Sequence, residues 1–310
     1  MRSPTREPIG ICHPSLTLRH DLRRTGAIMA LSPFPSRPKP ADSAATPADK
    51  PDSFFKSLLW LALAAWLLRS LIVAPFSIPS GSMLPTMAIG DYLFVSKWPY
   101  GYASASFPFH VPSFDGRILG STPKRGDVVV FVGPEGKDVV KRVIGLPGDL
   151  VSVSSGGVIL NGKPLARQRI DDFAMTVSPN SPCRILTAAG PIVDGSKGDG
   201  QICRFPAFRE PLPGGPSYVT LDQTDRSVAD NFAPVVVPAD RLFLMGDNRD
   251  DSLDSRYSVV EGGMGFISLD QVVGRAERAF WSTDGSASWL NPLSWFTALR
   301  GDRIGTDYHP

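Results

Sequence analysis

The chain has 310 residues, 42% of them apolar, and a formal net charge of +2. That is room for one or two domains with a sizeable core, and the balanced charge excludes the basic footprint of a nucleic-acid-binding protein. Thirty prolines and 29 glycines exclude a helical bundle and favour short strands joined by turns.

Residues 1–53 are rich in Pro, Ser, Ala and charge without a period of 2 or 3.6, which predicts a disordered tail in which Met29 is an alternative start. Residues 54–76 follow as FFKSLLWLALAAWLLRSLIVAPF, long enough as a helix to cross about 30 Å of hydrocarbon. Arg69 can snorkel, and Trp60 and Trp66 can anchor the span at the interface. Arg37, Lys39, Lys50 and Lys56 precede most of the span, whereas the first Lys or Arg beyond it is Lys97. The positive-inside rule therefore predicts a single-pass protein of the cytoplasmic membrane, with its N-terminus in the cytoplasm and residues 77–310 outside.

Directly behind the span lies FSIPSGSMLPTM, Phe76 to Met87, in which Ser80 and Ser82 are bracketed by Pro79, Gly81 and Pro85. Such a segment is a stiff turn, and it can present a hydroxyl nucleophile. Ser82 is six residues beyond Phe76, which puts it no more than about 20 Å from the bilayer surface at about 3.3 Å per residue. Next come the β-branched runs 91–97, 126–132, 137–145 and 149–154, read as strands of an antiparallel sheet. Asn161-Gly162 within 156–165 is a hairpin signal. The looser stretch 171–240 reads as an inserted subdomain, so the catalytic β domain is expected over 77–170 and 241–280, with 281–310 as a C-terminal segment. Phe280, Trp281, Trp289, Trp295 and Phe296 are read as core packing in preference to an interfacial patch.

A serine nucleophile needs a base, and of the four histidines His13, His20, His110 and His309 only His110 is well inside the chain. A lysine with a depressed pKa is the other choice. In DVVKRVIG, alternation places Lys141 on one strand face with Val139 and Val143, where burial would favour the neutral amine. The third cluster is MGDNRDDSLDSR, Met245 to Arg256, whose Asp247, Asp250, Asp251 and Asp254 are interleaved with Arg249 and Arg256. It lacks the glycine and glutamate positions of a calcium-binding EF-hand, so ion pairs that fix a loop are the better reading. That loop can set Ser252 beside Lys141 as a hydrogen-bond acceptor. Cys183 and Cys203, 20 apart, can be bridged if the region is exported.

The ordered motifs IPSGSMLPT, KRVIGLPGD and GDNRDDSLDSR behind an N-terminal span resemble those of bacterial type I signal peptidase. The resemblance implies Ser82 as nucleophile and Lys141 as general base, a choice between Ser80 and Ser82 that the turn itself leaves open. It implies Ser80 as an oxyanion donor, Ser252 as the residue that orients the lysine, and Asp254 with Arg256 as a supporting salt bridge, with Asp247, Asn248 and Arg249 in the same supporting loop. Phe76, Ile78, Met83, Met87 and Val140 fall where the family lines shallow substrate pockets. The implied protein is a mainly β endopeptidase that meets membrane-inserted preproteins at the lipid bilayer, without metal, cofactor or nucleic acid. Two departures stand out: Asp251 replaces a common asparagine, and the stretch after Arg256, with Gly262, Gly263 and Gly265, is long. The alternatives are another Ser-Lys peptidase of the conjugation type and an inactive β-sheet binding module. A self-cleaving repressor would want a DNA-binding motif where this chain has its span.

Overall fold

The computed structural model describes residues 51–186, 192–194, 200–224, 227–288 and 290–309. The predicted tail up to residue 50, Met29 and Trp289 lie outside the described residues.

Helix α1 (Pro51–Leu67) continues through a π-helical turn, Leu68–Ile72, and its apolar side chains are largely exposed. Among the described residues it is one helix of sufficient length and apolarity to cross a membrane, Phe54–Ile72, 19 residues with mean hydropathy 1.5. The helix ends four residues before the predicted boundary at Phe76. Val73–Ser77 is instead strand β1, paired antiparallel with β2 (Asp91–Ser96). Pro75 lacks an N–H and disfavours helical backbone at Ala74, so the apolar run changes conformation there. Ten residues then separate Ile72 from Ser82, and the reach of the hydroxyl from the helix end grows to about 33 Å when fully extended.

The remaining strands follow in chain order: β3 (Val128–Val132), β4 (Asp138–Gly145), β5 (Leu150–Ser154), β6 (Gly157–Leu160), β7 (Lys163–Pro164) and β8 (Gln168–Thr176). Beyond them come β9 (Arg184–Leu186), β10 (Ile192–Asp194), β11 (Ile202–Pro211), β12 (Ser217–Leu221), β13 (Phe232–Val236), β14 (Arg241–Met245), β15 (Ile267–Ser268) and β16 (Val272–Ser282). The architecture is mainly β and antiparallel, as the strand and turn composition implies. Seven strands form one sheet in the order β1-β2-β16-β3-β4-β14-β15. Strands β13-β5-β6-β7 form a second sheet, β12-β11-β8 a third, and β9 with β10 a ribbon. The predicted hairpin is present, with Asn161 and Gly162 both at positive φ (52° and 76°) as a two-residue hairpin turn requires. Strand β13, from the stretch read as inserted, pairs with β5, so the second sheet draws on both sides of the expected 170/171 boundary.

Strand β3 reads VVVFV without alternation because both of its faces are buried. Val128 and Val130 join a core cluster with Met83, Met87, Leu93 and Val95, while Val129 and Phe131 join another with Val143, Leu242 and Leu244. The C-terminal segment is tied to the start of β2 through Asp91, a fully buried carboxylate that accepts hydrogen bonds from Ser282, Arg303 and Tyr308. Phe280 stacks on Phe94 with ring centroids 4.3 Å apart, in keeping with a packing role. Trp281 and Trp295 are exposed and Phe296 is 79% exposed, so those three rings are surface groups and not core.

Candidate active site

Ser82 sits in a single 3-10 turn, Gly81–Met83, just past the end of β1. Pro79 before it and Leu84-Pro85 after it restrict the backbone to this turn. Met83 and Met87 anchor it from below: both are buried in the core, and the Met87 amide donates to the Met83 carbonyl at 2.9 Å. The loop after β14 grips the same turn from the other side. Asn248 donates its backbone N–H to Ser82 O and its Nδ2 to Gly81 O, each at 3.1 Å. Gly246 is needed for this approach, because a Cβ there would lie 2.4 Å from Ser252 Oγ and 2.6 Å from Ser82 O.

Lys141 comes from β4, where it lies opposite Val129 and is 3% exposed. Its Nζ donates to Ser82 Oγ at 2.5 Å. Burial lowers the Lys141 pKa to about 8, against the opposing pull of Asp254, Asp247 and Asp251. The side chain on the serine is therefore an amine that is neutral in a useful fraction at mildly alkaline pH. His110 is exposed on a separate turn and is not among the residues that line the cleft around Ser82. Ser80 is exposed, with its Oγ 3.4 Å from Ser82 Oγ.

Ser252 is buried, and its hydroxyl donates to Asp254 Oδ2 at 2.8 Å. That bond uses the proton of the hydroxyl and leaves its lone pairs as acceptors, the role expected of Ser252 toward Lys141. Asp254 also takes Gly246 N–H at 2.9 Å and both Nε and Nη2 of Arg256 at 2.9 Å. Burial alone would raise its pKa; the Arg256 charge and these hydrogen bonds hold it below the usual carboxylate range. Arg256 in turn donates to Arg249 O at 2.6 Å.

Two further buried pairs fix the loop, each with a partner that sequence reading did not single out. Asp247 receives Nε and Nη2 of Arg142 at 2.8 and 2.6 Å, and Thr86 Oγ1 at 2.5 Å. Arg142 adjoins Lys141 in sequence, and alternation sends it to the opposite face; the cue was the KR pair read with the aspartate cluster. Arg249 pairs with Glu210 of β11 at 2.5 Å, supported by Tyr218. Nothing local to Glu210 signals this role.

The cleft beside the dyad has a volume of about 760 Å³. Phe76, Ile78, Met83 and Val140 line it with Ser80 and Ser82, but Met87 does not: it is fully buried beneath the turn, because the Met83–Met87 hydrogen bond directs the chain back into the core. Val139, Leu253, Val259 and Met264 complete the apolar wall. Three of these come from the loop and its long extension, whose Gly262 and Gly263 also face the cleft. Asp251, the unusual loop residue, pairs with Arg184 at 3.2 Å. Two strand edges border the cleft. β1 is an outer strand of its sheet, and Asp138–Lys141 of β4 has no partner on the β14 side, where pairing starts at Arg142.

The profile of the family described as "Signal peptidase, peptidase S26" matches residues 52–281, from the apolar helix to β16. The chain belongs to this family. It is similar to Signal peptidase I of Rickettsia typhi, 31% identical over 271 residues that cover 81% of this chain and 91% of the relative. Signal peptidase I of Rickettsia canadensis is 32% identical over 269 residues, with the same two coverages. The crystal structure of a signal peptidase I from Enterococcus faecalis V583 overlaps 50% of this chain and 97% of its own, at 22% identity and a TM-score of 0.26, too distant a likeness to bear on the geometry. Family membership makes the chain a serine endopeptidase of the signal peptidase I type, a membrane-associated hydrolase. Its one long apolar helix among the described residues agrees with that association.

The disulfide Cys183–Cys203 joins β11 to the chain just before β9, with Cα atoms 5.6 Å apart. Both cysteines are buried in the cluster that includes Phe205 and Leu221.

Proposed function

We propose that this peptidase removes signal peptides from exported preproteins with Ser82 as nucleophile and Lys141 as general base. The observation that carries the reading is the 2.5 Å contact between the buried amine Lys141 Nζ and the Oγ of Ser82, a residue that lines the cleft. Neutral Lys141 takes the Ser82 proton as Oγ attacks the scissile carbonyl, and then returns it to the departing amine. A water activated by the same amine hydrolyses the resulting ester. Ser80, whose hydroxyl is 3.4 Å from Ser82 Oγ, and the Ser82 N–H are placed to donate to the oxyanion. Ser252, Asp254 and Arg256 position the lysine and the loop, and Asp247, Asn248 and Arg249 hold that loop against the nucleophile turn.

The free edges of β1 and of Asp138–Lys141 suit an extended substrate that adds as a further strand and sends alternate side chains into the surface. Phe76, Ile78, Met83 and Val140 leave shallow apolar depressions there, which admit small residues immediately before the cut and two positions earlier, the Ala-x-Ala pattern of secretory signal peptides. The helix Phe54–Ile72 holds the enzyme in the plane of its membrane-inserted substrates and raises their effective concentration. The charge bias around it supports a cytoplasmic N-terminus in the inner membrane and a catalytic domain, 77–170 with 241–280, on the far side. Exposed Trp295, Phe296 and Leu290 give the C-terminal segment, 281–310, an apolar surface suited to a lipid interface.

The test is the purified full-length chain in detergent acting on a preprotein, read as the mass of the released product. Cleavage after a small residue supports the proposal. A preprotein in which that residue is leucine and which is still cut at an undiminished rate shows that other pockets are used.

A further inference from the structure

The loop that carries Ser252 also carries Asp250, and Asp250 meets two carboxylates from elsewhere in the chain. These are Asp222, which follows β12, and Asp230 in the turn Val228–Asp230 before β13. Each of the three offers a carboxylate oxygen, and these oxygens lie within 4.8 Å of one another. Their Oδ2 atoms are engaged. Asp250 Oδ2 accepts from the backbone N–H groups of Gln223 and Thr224 at 2.6 and 3.1 Å, Asp230 Oδ2 from that of Ser227 at 2.8 Å, and Asp222 Oδ2 pairs with Arg167.

The three Oδ1 atoms are a different matter: all are shielded from solvent and none has a hydrogen-bond partner. Asp230 is 0% exposed and Asp222 8%, so both side chains are more than nine-tenths buried. Arg167 is shared with Glu210 at 3.4 Å, and nearby Arg256 is committed to Asp254. Among the described residues, the three carboxylates, two buried and one half-buried, thus face one shared guanidinium, and the Oδ1 atom of each lacks a hydrogen-bond partner.

We propose that Asp222, Asp230 and Asp250 bind one hard divalent cation, calcium in preference to magnesium. Carboxylate oxygens are the ligands such ions take, and the charge of the ion satisfies the three Oδ1 atoms together. Calcium accepts its oxygens at about 2.3–2.6 Å in flexible geometry, whereas magnesium demands a near-ideal octahedron at about 2.0–2.1 Å, so ligands drawn from three separate segments suit calcium better. The ligands join the end of β12, the turn before β13 and the loop of Ser252, so the ion fastens the segment between β8 and β13 to the loop that supports the dyad. The loop motif alone lacks such a site because two of its ligands come from residues 20 or more positions upstream.

The experiment uses the full-length chain in detergent, stripped with EDTA, in equilibrium dialysis against radioactive calcium and in thermal unfolding with calcium chloride or magnesium chloride. Wild-type protein is expected to retain about one calcium per chain. At a free concentration of 100 times Kd the folded-to-unfolded ratio rises about 100-fold, seen as a higher Tm. Asp230→Asn and Asp250→Asn should each lose the bound calcium and the calcium-dependent rise in Tm. A wild-type chain that retains no calcium overturns the proposal without recourse to a variant, as does a variant that folds and still retains it. An unfolding temperature that responds to acid and not to calcium also overturns it, because a shared proton then fills the cluster.

Discussion

Lys141 Nζ stands 2.5 Å from Ser82 Oγ although 59 residues separate the two in sequence. Both lie against the Met245–Arg256 loop, which reaches Ser82 through Asn248. If the pair acts as one unit, Ser82→Ala and Lys141→Ala should each lower kcat/KM by at least about 10²–10⁴, and the double variant should be little worse than either. Single-turnover assays on a preprotein check this; additive losses would place the two residues in separate roles.

The buried lysine predicts the shape of the pH profile. With its pKa lowered to about 8, Lys141 is protonated below that value and cannot act as a base. Activity should fall about tenfold per pH unit on the acid side and level off above about pH 9. The same shift bears on stability. The folded-state pKa is depressed below the unfolded one, so the folded protein is relatively more stable above pH 10 and loses that advantage as pH falls to about 8, with no further change below. Lys141→Met, which has no such titration, should therefore gain in Tm over the wild type as pH drops from 10 to 8.

Gly246 tests whether the loop sets the position of the nucleophile. Gly246→Ala pushes a methyl group against Ser252 Oγ and Ser82 O, sites 2.4 and 2.6 Å from the new atom. A displacement near 1 Å is worth about 10²-fold in rate. The expected result is a folded protein by circular dichroism with kcat reduced by roughly that factor and KM little changed.

The Arg249–Glu210 pair should dominate the coupling of loop and third sheet. Arg249 is 2% exposed and Glu210 0%, and removing one partner leaves the other buried and unpaired, at a cost of about 3–5 kcal/mol. Urea unfolding of Glu210→Leu should show that loss. The double variant Glu210→Leu with Arg249→Met should recover much of it, and failure to recover would mean that Arg249 is held chiefly by its other contacts.

The disulfide closes a loop of about 20 residues, worth roughly 3 kcal/mol in the chain-entropy account. Replacing both Cys183 and Cys203 with alanine should lower stability by about that amount and leave the pH profile unchanged. An altered profile would mean that the bridge helps to shape the Lys141 environment through the Arg184–Asp251 pair beside it.

The elements of this protein were legible wherever a local pattern is enough to specify them. The apolar run 54–72, the strands β2 to β5, the Asn161-Gly162 hairpin and the stiff turn at Ser82 follow from propensity, alternation and proline or glycine geometry, all of which act over a few residues. Alternation also placed Lys141 correctly on the valine face of β4, whereas the point at which the apolar run stops being helical depended on β1 finding a partner in β2. The identity of the nucleophile among Ser80 and Ser82 came from family resemblance and not from local chemistry. What only the tertiary structure decided are the pairings that no local pattern specifies: Lys141 with Ser82, Arg142 with Asp247, Glu210 with Arg249, Asp254 as the acceptor from Ser252, and the meeting of Asp222, Asp230 and Asp250. The strength of these contacts comes from burial, since a charge or hydroxyl removed from water must find its partner within about 3 Å wherever the fold has put one. Met87 shows the same limit from the apolar side. Its type and spacing fit a pocket wall, but whether a methionine faces a cleft or a core is set by the surface that the completed sheet presents beneath it.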